Sequence, residues 1–101
     1  MELSETTQTY MEALNNKLSG MNYTITAVAG RKFDRLMTTA PGEVRPSSVH
    51  AFIERDTSLL YKPASLKTPA KIARYDLSTL DGIFDTVKVA DPFGSYLYLS
   101  R

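Results

Sequence analysis

The hydrophobic pattern of this chain changes its period at Gly20, and that change constrains the fold more than any other feature. Before Gly20, apolar side chains recur at spacings of three and four residues, which predicts a helix over residues 4–18. Ser4 suits the N-cap of that helix, and Gly20 can take the left-handed conformation that closes it. Over residues 23–29 apolar and polar residues alternate instead, and β-branched residues dominate, which predicts a strand.

Further strand patterns follow, so the rest of the chain is predicted to be mainly antiparallel sheet. Gly30 and Arg31 fit a two-residue turn, which would join the first strand to a second over residues 33–38 in a hairpin. A loop containing two prolines and one glycine spans residues 40–46. Three more strands are predicted, over residues 49–53, 58–61 and 95–99.

A second, short helix is predicted late in the chain. Ser78 and Asp81 have the spacing of a capping box, with aspartate in place of the more usual glutamate. The apolar side of this helix is predicted to consist of Leu80, Ile83, Phe84 and Val87. Together these patterns predict a single α+β domain over residues 1–101, an antiparallel sheet of four or five strands with both helices on one face.

The middle of the chain is strongly polarised in charge. Residues 58–74 carry four cations and no acid, whereas residues 75–91 carry four aspartates and one lysine. Pro63 and Pro69 interrupt any regular pattern, so residues 62–74 are predicted to form an ordered, irregular loop with a brief helix over residues 69–73. Because a basic segment without acids offers its charges to something outside the fold, phosphate is the partner that this pattern favours.

The candidate ligand-binding residues are the cations of this loop and the two tyrosines at its ends, whose rings could stack on nucleobases. They are Lys62, Lys67, Lys71, Arg74, Tyr61 and Tyr75. A second basic cluster on the first hairpin would extend the same surface and consists of Arg31, Lys32 and Arg35. The alternative is that these cations pair with nearby aspartates on a solvated surface, where each pair contributes roughly 0–1 kcal/mol.

The remaining polar residues predict neither a catalytic centre nor a metal site. His50 is the only histidine, and no serine or carboxylate lies at a diagnostic spacing from it, so a hydrogen-bonded role within the sheet is favoured over catalysis. The acidic segment could instead supply one half of a contact between copies of the chain, through Asp76, Asp81, Asp85 and Asp91. No cofactor is predicted.

Tyr96 and Tyr98 would share one face of the predicted last strand. If that strand lies at an edge of the sheet, the two rings would anchor a partner protein or a second copy, because tyrosine supplies a large contact area at small entropic cost.

Composition narrows the classes of protein further. With no cysteine, the chain cannot form disulfides, thiolate nucleophiles or cysteine-ligated metal sites. A net charge of +1 means that any affinity for nucleic acid must arise from local patterning. The acidic, polar N-terminus and the lack of a long apolar run predict a soluble protein without a signal peptide or a membrane partner.

Several segments of the second half of the chain together resemble a family of small tailed-phage proteins of unknown function. They are the sequences SVHAF at residues 48–52, YKPAS at 61–65, KTPAK at 67–71, RY at 74–75 and GSYLY at 94–98. Leu66 stands where an aromatic residue is expected in that family. The resemblance implies a phage origin and expression in the bacterial cytoplasm, and it implies no activity.

The interpretation that follows is a small phage accessory module that contacts nucleic acid or another phosphate-bearing ligand through its basic loop. The first alternative is a protein-binding inhibitor or modulator of a host bacterial factor, active in host takeover. The second is a small enzyme centred on His50.

Overall fold

A computed structural model of the chain describes residues 1–98 and confirms the α+β fold class. Five antiparallel strands form one sheet in which each strand pairs with its neighbour in the chain. The strands are β1 (Thr24–Val28), β2 (Phe33–Thr39), β3 (Ser48–Glu54), β4 (Leu59–Pro63) and β5 (Pro69–Asp76). The α-helices are α1 (Glu5–Leu18) and α2 (Leu80–Val89), and short 3₁₀ helices span Ser19–Met21 and Ser95–Leu97.

Helix α1 forms where its apolar stripe predicts. The Ser4 hydroxyl accepts a hydrogen bond from the Thr7 amide at 3.1 Å and so caps the helix. The chain leaves the helix through a 3₁₀ turn that contains Gly20, and the left-handed residue is Asn22, with φ at 61°. The predicted left-handed glycine was therefore wrong, because the 3₁₀ turn moves the reversal two residues further along.

One face of the sheet is covered by both helices, and the core lies between them. Alternation along β2 turns Asp34, Leu36 and Thr38 toward the helices, while Phe33 and Arg35 face the other way. The buried apolar cluster joins both α-helices, strands β1 to β4 and the 3₁₀ helix Ser95–Leu97, and it includes Tyr10, Leu14, Leu18, Ile25, Leu36, Ile53, Leu60, Ile83 and Leu97. Within residues 1–98 the opposite surface of the sheet carries no helix, and we refer to it as the open face.

The predicted irregular loop over residues 62–74 is wrong. Pro63 ends β4 and pairs with Pro69, which begins β5, so residues 64–68 form a hairpin loop instead. The amides of Ala64 and Ser65 donate to the Thr68 carbonyl and close that loop. Because β5 is an edge strand and Pro69 is its first residue, the missing amide of that proline costs no ladder hydrogen bond.

The predicted last strand is also wrong within the described residues, and Leu99 lies outside them. Asp91 accepts hydrogen bonds from the amides of Phe93 and Ser95 and from the Ser95 hydroxyl. Gly94 follows with φ at 77°. This carboxylate-centred turn leads into the 3₁₀ helix Ser95–Leu97, so Tyr96 and Leu97 do not lie on opposite faces of a strand.

The connection between β1 and β2 covers four residues, Ala29 to Lys32, rather than the predicted two-residue turn. Gly30 is required there for close approach, because a Cβ at this position would lie 2.4 Å from the Phe33 carbonyl oxygen.

Helix α2 begins one residue later than its sequence predicts, because Thr79 rather than Ser78 is the cap and accepts from the Gly82 amide at 3.0 Å. Ile83 is buried as predicted, whereas Leu80 and Phe84 are 63% and 51% exposed. The second fully buried position of the helix is Thr86, whose hydroxyl donates to the Gly82 carbonyl.

Replacing Gly82 with alanine is expected to destabilise the fold by about 1–3 kcal/mol. A Cβ at Gly82 would lie 2.3 Å from the backbone carbonyl oxygen of Asp76, which cannot rotate away. Gly20 is the matched control, because no atom lies within 4 Å of a Cβ built there, and alanine should change stability by less than about 1 kcal/mol. Urea denaturation followed by circular dichroism measures both variants, and equal effects would contradict the clash.

Candidate phosphate-binding site

Three aromatic rings pack together on the open face of the sheet. The Phe33 ring stands nearly perpendicular to the rings of Phe52 and Tyr61, with centroids 6.2 and 5.6 Å away. Such edge-to-face pairs are favourable beyond the area they bury. The Tyr61 hydroxyl donates to the Glu54 carboxylate at 3.1 Å. Both the ring and the hydroxyl of this residue, which was predicted to stack on a nucleobase, therefore make contacts within the fold.

A pocket of about 310 Å³ lies beside this aromatic cluster, between the β1–β2 connection and the β4–β5 loop. Its wall consists mostly of apolar atoms, joined among the described residues by three cations and no acid. The lining residues are Val28, Ala29, Gly30, Lys32, Phe33, Arg35, Phe52 and Lys67. The pocket thus combines one residue of the predicted basic loop with two residues of the predicted extension.

Arg35 connects the two sides of the pocket. Its Nη1 donates to the Leu66 carbonyl at 2.9 Å, which ties β2 to the β4–β5 loop and holds Lys67 beside the pocket. Within residues 1–98, the buried Nε of the same guanidinium has no hydrogen-bond partner. A buried donor of this kind is uncommon, because an unmade hydrogen bond in a folded protein costs roughly 1–3 kcal/mol.

The pocket lysines are exposed and are not neutralised by neighbouring acids. In the described part of the chain the ion pairs are Arg55 with Asp34 and Lys88 with Asp85, and neither involves a pocket residue. Lys32 Nζ lies 5.6 Å from the centroid of the Phe33 ring, a weak attraction that leaves its three donors accessible to a ligand.

The other residues of the predicted basic loop lie elsewhere. Lys62 Nζ stands 4.6 Å from the centroid of the Tyr98 ring, and Lys71 is exposed on β5. Arg74 donates through Nε to the Leu97 carbonyl at 2.6 Å and through Nη1 to the Ile72 carbonyl at 2.6 Å. Arg74 is therefore committed to holding the C-terminal segment against β5.

Tyr75 shares that structural role. Its hydroxyl donates to the Tyr96 carbonyl at 2.9 Å, and its ring packs against the core. Arg31 is exposed in the β1–β2 connection but does not line the pocket.

His50 and Tyr96 belong to a buried polar network on the helix side of the sheet. The Tyr96 hydroxyl lies 2.7 Å from His50 Nε2 and 2.6 Å from the Tyr10 hydroxyl, and His50 Nδ1 lies 3.4 Å from the Thr38 hydroxyl. Burial lowers the pKa of His50 to about 4 and raises the pKa of Tyr96 well above its usual value.

The position of this network affects two hypotheses, catalysis at His50 and partner binding through Tyr96 and Tyr98. With His50 only 3% exposed, a substrate would have to enter the core to reach the imidazole. Of the two tyrosines predicted to anchor a partner, Tyr96 points into the core, whereas Tyr98 is 62% exposed.

The described residues contain no group of three histidine, aspartate or glutamate side chains that could hold a metal ion. Nor does any helix in that part of the chain combine the length and apolar character needed to cross a membrane.

Sequence reasoning identified the three pocket cations but not the wall around them. The alternation along β2 already places Phe33 and Arg35 on one face, so it was the signal that could have found the aromatic side of the pocket. The contribution of Gly30 and Phe52 depends on pairing between strands, which the sequence does not display.

These features define a small α+β domain whose five-stranded sheet carries a cationic, aromatic-walled pocket on its open face. The chain belongs to a family of unknown function, DUF7717, whose sequence profile matches residues 1–99. No curated protein and no solved structure matches the chain significantly.

Proposed function

We propose that this protein is a binding module for nucleic acid or another phosphate-bearing ligand, and that the ligand binds in the open-face pocket. The observation that carries the proposal is the convergence of Lys32, Arg35 and Lys67 from two separate hairpins on one pocket without an acid in its wall. Lysine and arginine bind phosphate through charge-assisted hydrogen bonds, which are about twice as strong as neutral ones.

The aromatic wall supports the same proposal. A ligand that carries phosphate on a sugar and a base has both an anionic end and a planar, largely apolar end. Phe33, Val28 and Ala29 offer contact area for the second end, next to the cations that suit the first. A simple anion site would have no use for such a wall.

We further propose that the protein is of phage origin and acts in the cytoplasm of a bacterial host. The support for this is the resemblance of residues 48–52, 61–65, 67–71 and 94–98 to small tailed-phage proteins.

A second candidate function is the modulation of a host protein through the β5 edge of the sheet. Ile72 on β5 and Tyr98 beside it are both 62% exposed, and Lys62 stacks on the Tyr98 ring. These residues would supply an apolar and aromatic contact next to an edge strand that pairs with β4 on one side and, among the described residues, with no strand on the other. Binding to a host protein that survives loss of the pocket lysines but not the Tyr98→Ala substitution would favour this candidate.

The double variant Lys32→Ala/Lys67→Ala is expected to weaken phosphate-ligand binding roughly 10- to 100-fold while changing the thermal midpoint little. Both side chains are exposed and donate no hydrogen bond within the described fold, so their loss removes ligand contacts rather than structure. The measurement is fluorescence anisotropy of labelled single- and double-stranded oligonucleotides at about 50 and about 200 mM salt, with calorimetry of unlabelled nucleotides alongside.

The matched control is Arg45→Ala/Lys71→Ala, which removes the same charge from exposed positions outside the pocket. Equal losses in both variants would show that net charge, not the pocket, supplies the affinity. If neither oligonucleotides nor nucleotides bind the unmodified protein at low salt, the proposed function is wrong.

A further inference from the structure

We infer that the pocket takes a single nucleotide, a phosphorylated nucleoside bound as a discrete molecule, rather than one link of a nucleic-acid strand. The inference rests on the proposed function and narrows its ligand class. It is supported by the observation that some of the exposed cations line the pocket and that the others among the described residues do not extend the pocket into a longer basic groove.

Proteins that bind single strands track the backbone with a positively charged groove several nucleotides long. This chain has the cations for such a groove in its sequence, but the fold does not align them. Lys62 on β4 and Lys71 on β5 do not line the pocket, and Arg74 is occupied by the carbonyls of Ile72 and Leu97. Among the described residues, the cations that line the pocket are Lys32, Arg35 and Lys67, and they converge on this one cavity.

The pocket is also bounded on two opposing sides. Residues Val28 to Gly30 form one side, and the β4–β5 loop, held by the bond from Arg35 to the Leu66 carbonyl, forms the other. That loop is closed internally by the amides of Ala64 and Ser65, which both donate to Thr68. These two sides bring Lys32 and Arg35 close to Lys67, so the cations are placed to hold one phosphate group rather than a row of them.

The size and lining of the pocket fit one nucleotide. Its volume of about 310 Å³ is at the lower end of the range of roughly 300–1,000 Å³ seen for small-molecule pockets. The phosphate would lie among the three cations, and the base would lie against Phe33. The Phe33 ring is fixed by its contacts with Phe52 and Tyr61, so little side-chain entropy would be lost on binding.

The same wall offers backbone polar groups for the polar edges of a base. Gly30 lines the pocket outside strand β1 and has no side chain, so it does so with its backbone, and backbone amide and carbonyl groups are among the polar groups that orient a ligand in an apolar pocket.

The test is calorimetric titration of the unmodified protein with AMP, GMP, CMP and UMP, each singly, and with the corresponding nucleosides, inorganic phosphate and a short oligothymidylate. At least one nucleotide is expected to bind with a stoichiometry of one, at least about tenfold more tightly than its nucleoside or phosphate alone. Lys32→Ala/Lys67→Ala should weaken that binding roughly 10- to 100-fold, and Arg45→Ala/Lys71→Ala should leave it unchanged within about twofold.

Three results would overturn the inference, and they are distinguishable. If the oligonucleotide binds through the pocket lysines and no mononucleotide displaces it, the ligand is a strand and the proposed function stands. Inorganic phosphate that binds as tightly as every nucleotide would reduce the pocket to a simple anion site. The absence of binding by all probes would remove the proposed function together with the inference.

Discussion

Replacement of Asp34 by alanine is expected to destabilise the protein by about 3–5 kcal/mol, a large share of the 5–15 kcal/mol typical of a domain. The Asp34 side chain is fully buried on the helix side of β2. Its carboxylate accepts a hydrogen bond from the Ser4 amide at 2.9 Å and from Arg55 Nη1 at 2.5 Å. Its loss leaves a partly buried guanidinium without its counter-ion and a backbone amide without its acceptor.

Asp34 has this effect because it joins three parts of the fold. Ser4 is the cap of α1, Asp34 lies in β2, and Arg55 follows the end of β3. Burial raises the pKa of Asp34, but hydrogen bonds from Ser4, Thr7 and Arg55 and the charge of Arg55 outweigh it, so the pKa lies below its usual value. The carboxylate is therefore ionised at neutral pH and also faces the positive end of the helix dipole.

The matched control is Asp56→Ala, which removes the same charge from an exposed position beside Arg55 and should change stability by less than about 0.5 kcal/mol. Guanidinium denaturation near neutral pH, followed by circular dichroism, measures both variants. If Asp34→Ala does not fold, Asp34→Asn, which keeps one acceptor oxygen, should fold with an intermediate loss. Similar stabilities for Asp34→Ala and Asp56→Ala would show that the buried carboxylate contributes nothing specific.

Local periodicity predicted those elements whose core contacts follow from their own spacing. The stripe of α1 ends on Leu14 and Leu18, both buried, and the alternation of β1 and β2 places Ile25 and Leu36 in the core. In each case the free energy comes from burying one face, so the period alone identifies the structure.

The prediction failed where hydrogen bonds or strand pairing override the local pattern. Pro63 and Pro69 suggested an irregular loop, yet they are tolerated because they stand at the end of one strand and the start of an edge strand. Tyr96 alternates with Leu97 as in a strand, but the turn around Asp91 and the bonds of Tyr96 to Tyr10 and His50 fix a 3₁₀ helix.

The candidate site was predictable only in its parts. The cationic residues were recognisable by composition, but nothing in the sequence indicates that Leu66 accepts a bond from Arg35, thirty-one positions earlier. That bond selects Lys67 for the pocket, while the contacts of Arg74 with two carbonyls remove it from the ligand surface. The sequence therefore showed which cations could bind phosphate, but it did not show which of them line the same pocket.

The free energy of unfolding is expected to fall by about 3 kcal/mol as the pH is lowered from about 7 to about 4, because His50 is buried in its neutral form. Burial lowers the pKa of His50 from 6.5 to about 4. Below pH 6.5 the unfolded chain binds a proton that the folded chain cannot accept until about pH 4. The stability that depends on neutral His50 is therefore fully present above pH 6.5. It is lost by about 1.4 kcal/mol per pH unit as the pH falls from 6.5 to about 4.

In the upper part of this pH range, the loss of stability is due to His50. The pKa values of Asp34, Asp76 and Asp91 are also lowered in the folded protein, but the stability that they contribute is lost only as the pH falls toward and below their ordinary value of 3.8. Between about pH 6.5 and about pH 5, the slope of stability against pH should therefore correspond to one proton.

Urea denaturation at several pH values measures this slope, and the His50→Gln variant supplies the control. Glutamine can still hydrogen-bond the Tyr96 hydroxyl but cannot titrate, so this variant should be less stable near neutral pH yet nearly insensitive to pH above about 5. Should it fail to fold, the unmodified protein still provides a test, because its single histidine makes the assignment of the imidazole C–H resonances in the NMR spectrum unambiguous. The chemical shifts of these resonances should show no titration between about pH 7 and about pH 5. A midpoint near 6.5 would mean that the imidazole is hydrated and that the Tyr10–Tyr96–His50 network does not exclude water.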